Sequence, residues 1–347
     1  MTRAARRRTS DAGWRRDVLG AGFRCRTLDL GEDEEGPLRA VAVRCLPGPA
    51  ASRGAAQAAQ RRRIPVLLIH GWSDYVLDRR LMLHLYARGF DVWGVDLRKH
   101  GRSLLPGQTP TAVRDLSEYD AEIAAMLDLI GRDRPPVLLA HSTGGLTAAL
   151  WAQRRPGTVR ALVLNSPWLE FHAGAAAREA IRPALRALAQ RAPTARVLPR
   201  GSTHYTRTTH ALFGGETPYS LRWKPPGGHD FPACTLSAVL EGQARLRRGG
   251  PLAVPTLVLH SSRSVFGLRF RSDMAEADIV LNVRTIAAAA RQLGPSVRIE
   301  PVDGARHDVF LSAPAVRRRA LEIVEDWLRE LPDIGPTMTR DVPPGRP

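Results

Sequence analysis

The stretch that decides the fold is LLAHSTGGL, residues 138–146. Apolar residues run from Val137 to Ala140, as in a buried strand, and helix-forming residues follow Gly145. Ser142 therefore lies at a turn between a strand and a helix, where the pattern G-x-S-x-G holds a nucleophilic serine above the edge of a sheet. Ala140 stands at the first glycine of that pattern. Because it adds only one methyl group, the sequence still predicts a nucleophilic Ser142.

Outward from this turn, short apolar runs alternate with amphipathic segments of helical period. Continuous apolar runs of this length are typical of parallel strands covered on both faces. Repeated strand–helix units with short connections predict an α/β fold with a mostly parallel, doubly wound sheet. The predicted strands lie within residues 64–71, 90–97, 135–142, 159–168, 255–261 and 297–304.

The remaining segments predict the domain organisation. Residues 22–31 and 38–48 alternate at period two around an acidic turn, which predicts an N-terminal antiparallel hairpin. About eighty residues between two core strands are too many for an ordinary loop, so residues 169–250 are predicted to form an inserted cap, in which Pro183 interrupts a helix. The α/β core then comprises residues 17–168 and 251–331. The basic N-terminus (1–16) and the proline-rich tail (332–347) are predicted to be disordered.

Composition argues against several classes of function. The formal charge is +17, yet the arginines are scattered and lack the interleaved aromatic residues of a single-strand binder, so no nucleic-acid partner is expected. Weak association with anionic membrane surfaces is left open by this charge. No apolar run reaches the roughly 18 residues of a membrane span, and no secretory leader is recognisable, which favours a cytoplasmic location. The three cysteines show neither a zinc-site nor a disulfide pattern, so they are expected to be small, buried apolar side chains.

A nucleophilic serine needs a base and a group that orients the base. Among ten histidines, His307 follows the last predicted strand directly, where a loop returns over the edge of the sheet. The orienting acid is expected after the strand within 255–261. Asp278, which precedes an apolar turn and a helix, is favoured over Asp273, which lies in a looser polar stretch.

Two backbone amides are expected to stabilise the oxyanion. Thr143 opens the helix after Ser142, and Trp72 follows Gly71 in the loop after the strand within 64–71. His70 is expected either to brace this loop through a hydrogen bond or to pack as an ordinary core histidine.

With these residues placed, the chain resembles the α/β-hydrolase superfamily, in particular its monoacylglycerol-lipase-like and lysophospholipase-like branch, over about residues 64–330. The motifs that carry the resemblance are LLIHGWSDY, GVDLRKHGRS, LLAHSTGG and DGARHDVF. The resemblance implies an α/β-hydrolase fold and serine esterase or lipase activity. It assigns Ser142, Asp278 and His307 as a catalytic triad and Trp72 and Thr143 as oxyanion donors.

The chain departs from the family pattern in two places. Lys99 stands where the loop motif D-x-R-G-H-G-x-S has glycine, and a longer segment replaces the short loop that usually carries the acid. The loop residues are expected to act as scaffold: Asp96, Arg98, His100 and Ser103.

These observations predict a cofactor-independent and metal-independent serine hydrolase that cleaves carboxylic esters of small molecules or lipids, such as monoacylglycerols or lysophospholipids. One alternative is an amidase, aminopeptidase or thioesterase with the same triad. Another is a non-catalytic lipid- or ligand-binding protein on the same fold. Six cap residues are expected either to line an acyl pocket or to pack the cap onto the sheet: Phe171, Leu185, Leu212, Phe213, Tyr219 and Trp223.

Overall fold

The computed structural model describes residues 13–46, 62–198, 201–334 and 338. In chain order the strands are β1 (Arg15–Arg16), β2 (Phe23–Asp33), β3 (Gly36–Cys45), β4 (Pro65–Ile69), β5 (Asp91–Asp96), β6 (Val137–His141), β7 (Ala161–Asn165), β8 (Arg196–Leu198), β9 (Phe231–Pro232), β10 (Thr256–Ser261) and β11 (Val297–Val302). Within these residues, nine strands form one sheet in the order β1-β2-β3-β5-β4-β6-β7-β10-β11, and β8 pairs with β9. From β5 to β11 all neighbours are parallel, which confirms the predicted fold class.

The helices are α1 (Arg79–Ala87), α2 (Asp120–Ile130), α3 (Thr143–Arg154), α4 (Gly174–Arg191), α5 (His204–Thr209), α6 (Ala233–Arg248), α7 (Val283–Ala290) and α8 (Pro314–Glu330). Alternate side chains of the central strands enter two apolar layers, one on each face of the sheet. In β4, Leu67 and Ile69 pack in one layer, and Val66 and Leu68 pack in the other. This two-sided burial explains why the central strands have continuous apolar sequences.

The N-terminal hairpin forms as expected, with β2 and β3 antiparallel and β3 paired antiparallel with β5. The predicted disorder of residues 1–16 is wrong at its end, because Arg15 and Arg16 pair with β2 as an edge strand. Residues 1–12 and 47–61 lie outside the described residues. Cys25 and Cys45 are buried in the hairpin with free thiols.

The predicted disorder of the tail, residues 332–347, also needs correction. Ile334 is fully buried and Met338 nearly so, both against the apolar layer that includes Trp327 and Leu328 of α8. Burial of two large apolar side chains holds the chain here despite its proline-rich composition. The other residues beyond 334 lie outside the described part.

Between β7 and β10 the chain leaves the sheet and builds α4, the β8–β9 pair, α5 and α6. Helix α4 runs without a break through Pro183, so the predicted interruption is wrong. Most of α4 is exposed, so the carbonyl that the proline leaves without a donor can be hydrated. Helix α6 contacts both α4 and the core helix α3, and thereby joins the inserted region to the core.

Candidate active site

Ser142 occupies a strained turn at the end of β6. Its backbone has φ 54° and ψ −118°, a region that residues with side chains seldom adopt, and strain of this kind concentrates at functional sites. The turn requires close approach of two segments. A Cβ at Gly144 would lie 2.2 Å from the carbonyl oxygen of His70, whereas Ala140 is accommodated in full burial. The small residues around Ser142 therefore allow the loop after β4 to pass directly beside it.

Ser142, His307 and Asp278 are brought together from three loops. The Nε2 atom of His307 lies 3.1 Å from Ser142 Oγ, and its Nδ1 atom lies 2.9 Å from Asp278 Oδ2. An ionised carboxylate only accepts hydrogen bonds, so Nδ1 carries the imidazole proton and Nε2 accepts from the serine hydroxyl. All three side chains are buried. This arrangement can remove a proton from the serine as it attacks a carbonyl carbon.

Asp278 is fixed by its own turn. Its Oδ1 atom accepts from the amides of Val280 (2.8 Å) and Leu281 (2.7 Å), and its Oδ2 atom faces His307. Asp273, the alternative acid, instead pairs with Arg271. The structure thus brings Asp278, and not Asp273, into contact with His307.

The two predicted oxyanion donors come from the helix that follows Ser142 and from the loop after β4. Thr143 is the first residue of α3, so its amide has no acceptor within the helix and shares the positive end of the helix dipole. Trp72 follows Gly71, where a Cβ would lie 2.9 Å from the Ser142 Cβ atom. Among the described hydrogen bonds, the amides of Trp72 and Thr143 have no acceptor. Both amides thus remain available to a substrate oxygen.

His70 braces the loop that carries Trp72. Its Nε2 atom accepts from the Leu97 amide at 3.0 Å, so the Nδ1 proton is donated to the Gly71 carbonyl oxygen at 2.8 Å. Burial lowers the pKa of His70, despite the opposing influence of Asp96 and Asp74, and the neutral imidazole suits both bonds. Both expectations for His70 therefore hold together: the neutral imidazole braces the loop, and it is a buried histidine with both ring nitrogens hydrogen-bonded.

The loop 96–103 is held by internal polar contacts. Asp96 Oδ2 accepts from the amide and the guanidinium of Arg102, and Arg98 is paired with Glu122. Lys99 adopts φ 57°, the conformation that explains why glycine is usual there, and its ammonium lies 2.6 Å from both Asp33 and Glu35. Among the described hydrogen bonds, none joins this loop to Ser142, which supports a scaffold role for its residues.

A cavity of about 290 Å³ opens above Ser142. Its apolar wall consists of Trp168, Leu198, Phe231, Ile279, Val280 and Leu281. Its polar wall includes Ser73, Asp74 and His141 from the core and Tyr205 and Lys224 from the inserted region. A pocket lined by both apolar and polar side chains suits a molecule that has an acyl chain and a polar head.

None of the six cap residues considered as an acyl wall lines this cavity. Leu185 and Tyr219 are buried elsewhere, while Leu212 and Phe213 are exposed. Hydrophobicity alone did not show which way these side chains point. Conversely, sequence reasoning missed Tyr205 and Lys224, because the irregular segment around them carries no periodic signal.

Among the described residues, no group of three or more His, Cys, Asp or Glu side chains is arranged to hold a metal ion. In the same part of the chain, the helices are all too short or too polar to cross a bilayer.

Comparison with known proteins identifies the family. A family model described as "Serine aminopeptidase, S33" matches residues 60–314, about three-quarters of the chain. The chain belongs to this hydrolase family. Lysophospholipase L2 from Escherichia coli K12 is 28% identical to it over 291 residues, which cover 76% of this chain and 80% of the relative.

Solved structures support the same fold for this S33 hydrolase. Monoacylglycerol lipase from Paleococcus ferrophilus aligns with a TM-score of 0.58 at 18% identity, covering 87% of this chain and 97% of its own. Monoglyceride lipase from Saccharomyces cerevisiae aligns with a TM-score of 0.59 at 17% identity, covering 87% and 94%. The predicted α/β-hydrolase fold is confirmed, as is the predicted similarity to monoacylglycerol lipases and lysophospholipases. The lysophospholipase match also supports an ester hydrolase.

Proposed function

We propose that this S33 hydrolase cleaves carboxylic esters through an acyl-serine intermediate. The observation that carries the proposal is the continuous hydrogen-bond chain from Ser142 through His307 to Asp278, at the floor of the cavity. Such a chain activates a serine and keeps the base in one tautomer.

In the first half-reaction, Ser142 Oγ attacks the ester carbonyl carbon, and its proton passes to His307 Nε2. The carbonyl oxygen becomes an oxyanion that accepts hydrogen bonds from the amides of Trp72 and Thr143. Each such donor contributes about 3–4 kcal/mol to transition-state stabilisation. Collapse of this intermediate breaks the ester C–O bond, and the departing alcohol takes the proton from His307.

In the second half-reaction, His307 removes a proton from water, which attacks the acyl carbon. A second oxyanion forms in the same place and collapses to release the carboxylic acid. The proton returns through His307 to Ser142. Asp278 remains ionised throughout and stabilises the imidazolium that forms twice.

The lining of the cavity supports acyl esters with a polar alcohol as substrates. Its apolar wall suits an acyl chain, and its polar wall suits a glycerol or phosphoglycerol head. The names of the relatives fit this proposal, since one is a lysophospholipase and others are lipases of monoacylglycerols. We further propose that residues 169–250 act as the cap that selects among such substrates.

The test begins with a fluorophosphonate probe, which labels activated serines. Labelling is expected for the folded wild-type protein and is expected to disappear in Ser142→Ala and His307→Ala. A label that persists in Ser142→Ala would show that another serine is the nucleophile. Folded wild-type protein that neither reacts with the probe nor hydrolyses an ester would refute the proposal.

The acid is tested by a matched pair of substitutions. Asp278→Asn should lower kcat about 10³- to 10⁴-fold, because the imidazole loses its fixed tautomer. Asp273→Asn should leave kcat unchanged, because Asp273 contacts Arg271 instead of His307. Equal effects of the two substitutions would contradict the assignment.

We also propose weak association with anionic membrane surfaces. Leu268 is fully exposed and Phe266 is 54% exposed, on the long segment between β10 and Asp278. Arg269 and Arg271 lie on the same segment and are exposed. Pelleting with vesicles of anionic lipid, weakened by salt and by Leu268→Ser, is the expected result. Pelleting that is insensitive to salt, or none at all, would contradict it.

The free thiols of the described cysteines support the predicted cytoplasmic location, where disulfides are rare. Fractionation of cells that produce the protein would test this part of the proposal.

A further inference from the structure

The loop between β4 and α1, residues 70–78, is attached to the inserted region at four consecutive positions. The partners all lie between residues 220 and 231 of that region. The contacts are Trp72 stacked on Phe231 (ring centroids 4.6 Å apart), Ser73 Oγ to His229 Nδ1 (2.8 Å), Asp74 Oδ2 to Lys224 Nζ (2.7 Å), and the Ser220 amide donating to Tyr75 Oη (2.7 Å). The segment that carries the Trp72 amide is therefore held by residues about 150 positions further along the chain.

The Asp74–Lys224 pair is the strongest of these attachments. Both side chains are buried, with exposures of 7% and 8%. Burial opposes the charge on each, but the pairing prevails: it holds the pKa of Asp74 well below its ordinary value and raises that of Lys224. A buried charge that loses its partner is unfavourable by several kcal/mol, so neither residue is free to move alone.

Lys224 is also fixed from the side of the cap. Its ammonium lies 5.4 Å from the ring centroids of both Tyr205 and Tyr219, within the range of cation–π attraction. With Asp74 on one side and two aromatic faces on others, the ammonium is held in place before any substrate enters.

The backbone of the attached loop is itself strained. Ser73 adopts φ 51°, a conformation that is unfavourable for residues with side chains. Its hydroxyl contacts Nδ1 of His229 and accepts from the His229 amide at 2.9 Å. These bonds hold Ser73 in this conformation, directly after Trp72, which lines the same cavity as Ser142.

We infer that Lys224 is a positioning residue for the oxyanion site, acting through Asp74 on the loop that carries the Trp72 amide. The inference rests on the proposed hydrolytic function. It makes the cap a structural part of the oxyanion site in addition to a wall of the substrate cavity. The contribution of Lys224 then extends to every ester, including small neutral ones that never reach the polar wall.

The test measures kcat and KM of Lys224→Met with p-nitrophenyl butyrate, a small neutral ester. We expect kcat to fall at least about tenfold while KM stays within about twofold, because loss of a whole oxyanion donor costs about 10²- to 10³-fold. The inhibition constant of a trifluoromethyl ketone, whose serine adduct places an oxyanion in the same site, should rise in parallel. The matched control is Glu216→Gln, which weakens an exposed contact between the inserted region and Arg80 and should leave kcat unchanged.

Two further variants keep the test decisive if Lys224→Met folds poorly. The double variant Asp74→Asn, Lys224→Met removes both charges and leaves neither unpaired. It should therefore recover the stability that Lys224→Met loses, but not its kcat. Ser73→Ala breaks the contact with His229 and should lower kcat in the same direction.

The possible failures are distinguishable. If the folded wild-type protein hydrolyses no ester, the proposed function itself is refuted. Active wild type with an unchanged kcat for Lys224→Met on p-nitrophenyl butyrate would overturn the positioning role. A rise in KM confined to lysophospholipids would assign Lys224 to head-group binding instead.

Discussion

Asp78 offers a stability prediction whose size follows from its surroundings. It caps α1, with Oδ1 accepting from the Leu81 amide at 3.0 Å, while its Oδ2 atom is buried and has no hydrogen-bond partner among the described residues. Burial raises the pKa of the Asp78 carboxyl to about 6, although the Leu81 amide opposes this, and the nearby charge of Asp308 adds to the rise. We predict that Asp78→Asn stabilises the protein at pH 8.

The sign follows from proton linkage. In the unfolded chain the carboxyl ionises near pH 3.9, and in the folded protein near pH 6. Below pH 3.9 both states hold the proton, and the folded state carries no penalty. Between these values the unfolded state loses its proton first, so stability falls as pH rises, and above pH 6 the loss is complete.

The size follows from the shift of about two pKa units, which corresponds to about 3 kcal/mol at 1.36 kcal/mol per unit. Asparagine keeps the cap, since it ranks with aspartate at this position, but it gives up a favourable charge at the helix N-terminus worth about 0.3–1 kcal/mol. Asp78→Asn should therefore raise the free energy of unfolding by about 1–3 kcal/mol at pH 8. Near pH 3.5 the wild type and the variant should be equal.

Urea unfolding of the wild type and Asp78→Asn between pH 3.5 and pH 8 measures the difference directly. Asp78→Ala is the control, because it removes the charge and the cap together and should forfeit about 1 kcal/mol of the gain. A stability difference that does not change with pH, or an asparagine variant less stable than wild type at pH 8, would refute the reasoning.

Three further outcomes follow from packing and burial. Gly144→Ala should lower the free energy of unfolding by about 3 kcal/mol or more and abolish fluorophosphonate labelling, because its Cβ would lie 2.2 Å from the His70 carbonyl oxygen. Normal labelling would show that the turn can shift. Glu122→Gln should lower the free energy of unfolding, measured with heat or urea, by about 3–5 kcal/mol, because this fully buried carboxylate accepts three hydrogen bonds from Arg98. A loss under about 1 kcal/mol would show that the pair is dispensable. Burial raises the pKa of Cys45 to about 12, so iodoacetamide at pH 8 should label it only after denaturation, and rapid labelling of native protein would contradict its burial.

The sequence was sufficient for the features that depend on local signals. Continuous apolar runs identified the central strands, because each is covered on both faces. The small residues on either side of Ser142 identified its turn, because backbones meet there. His307 was identifiable for a similar reason, since it follows the last strand of a sheet whose carboxyl edge was already located.

The choice between Asp278 and Asp273 depended on three-dimensional contacts. Both lie in one irregular segment, and the deciding contacts are the two turn amides that bind Asp278 Oδ1. The pairing of Asp74 with Lys224 was also beyond the sequence, because nothing local indicates which residue 150 positions away will reach a buried carboxylate. Disorder was overpredicted at both ends, where a short edge strand and two buried side chains hold the chain.

The N-terminal hairpin limits where this hydrolase can be divided to make chimeras. The family match begins at residue 60, yet Asp33 and Glu35 neutralise Lys99, and Asp17 neutralises Arg102, from sequence that precedes it. A chimera that grafts residues 60–314 onto a relative's N-terminus would import the buried Lys99 without its two counter-ions, and Arg102 with Asp96 but without Asp17. The transplantable unit of this enzyme is therefore larger than its family signature, and shuffling experiments should place their crossover upstream of Asp17.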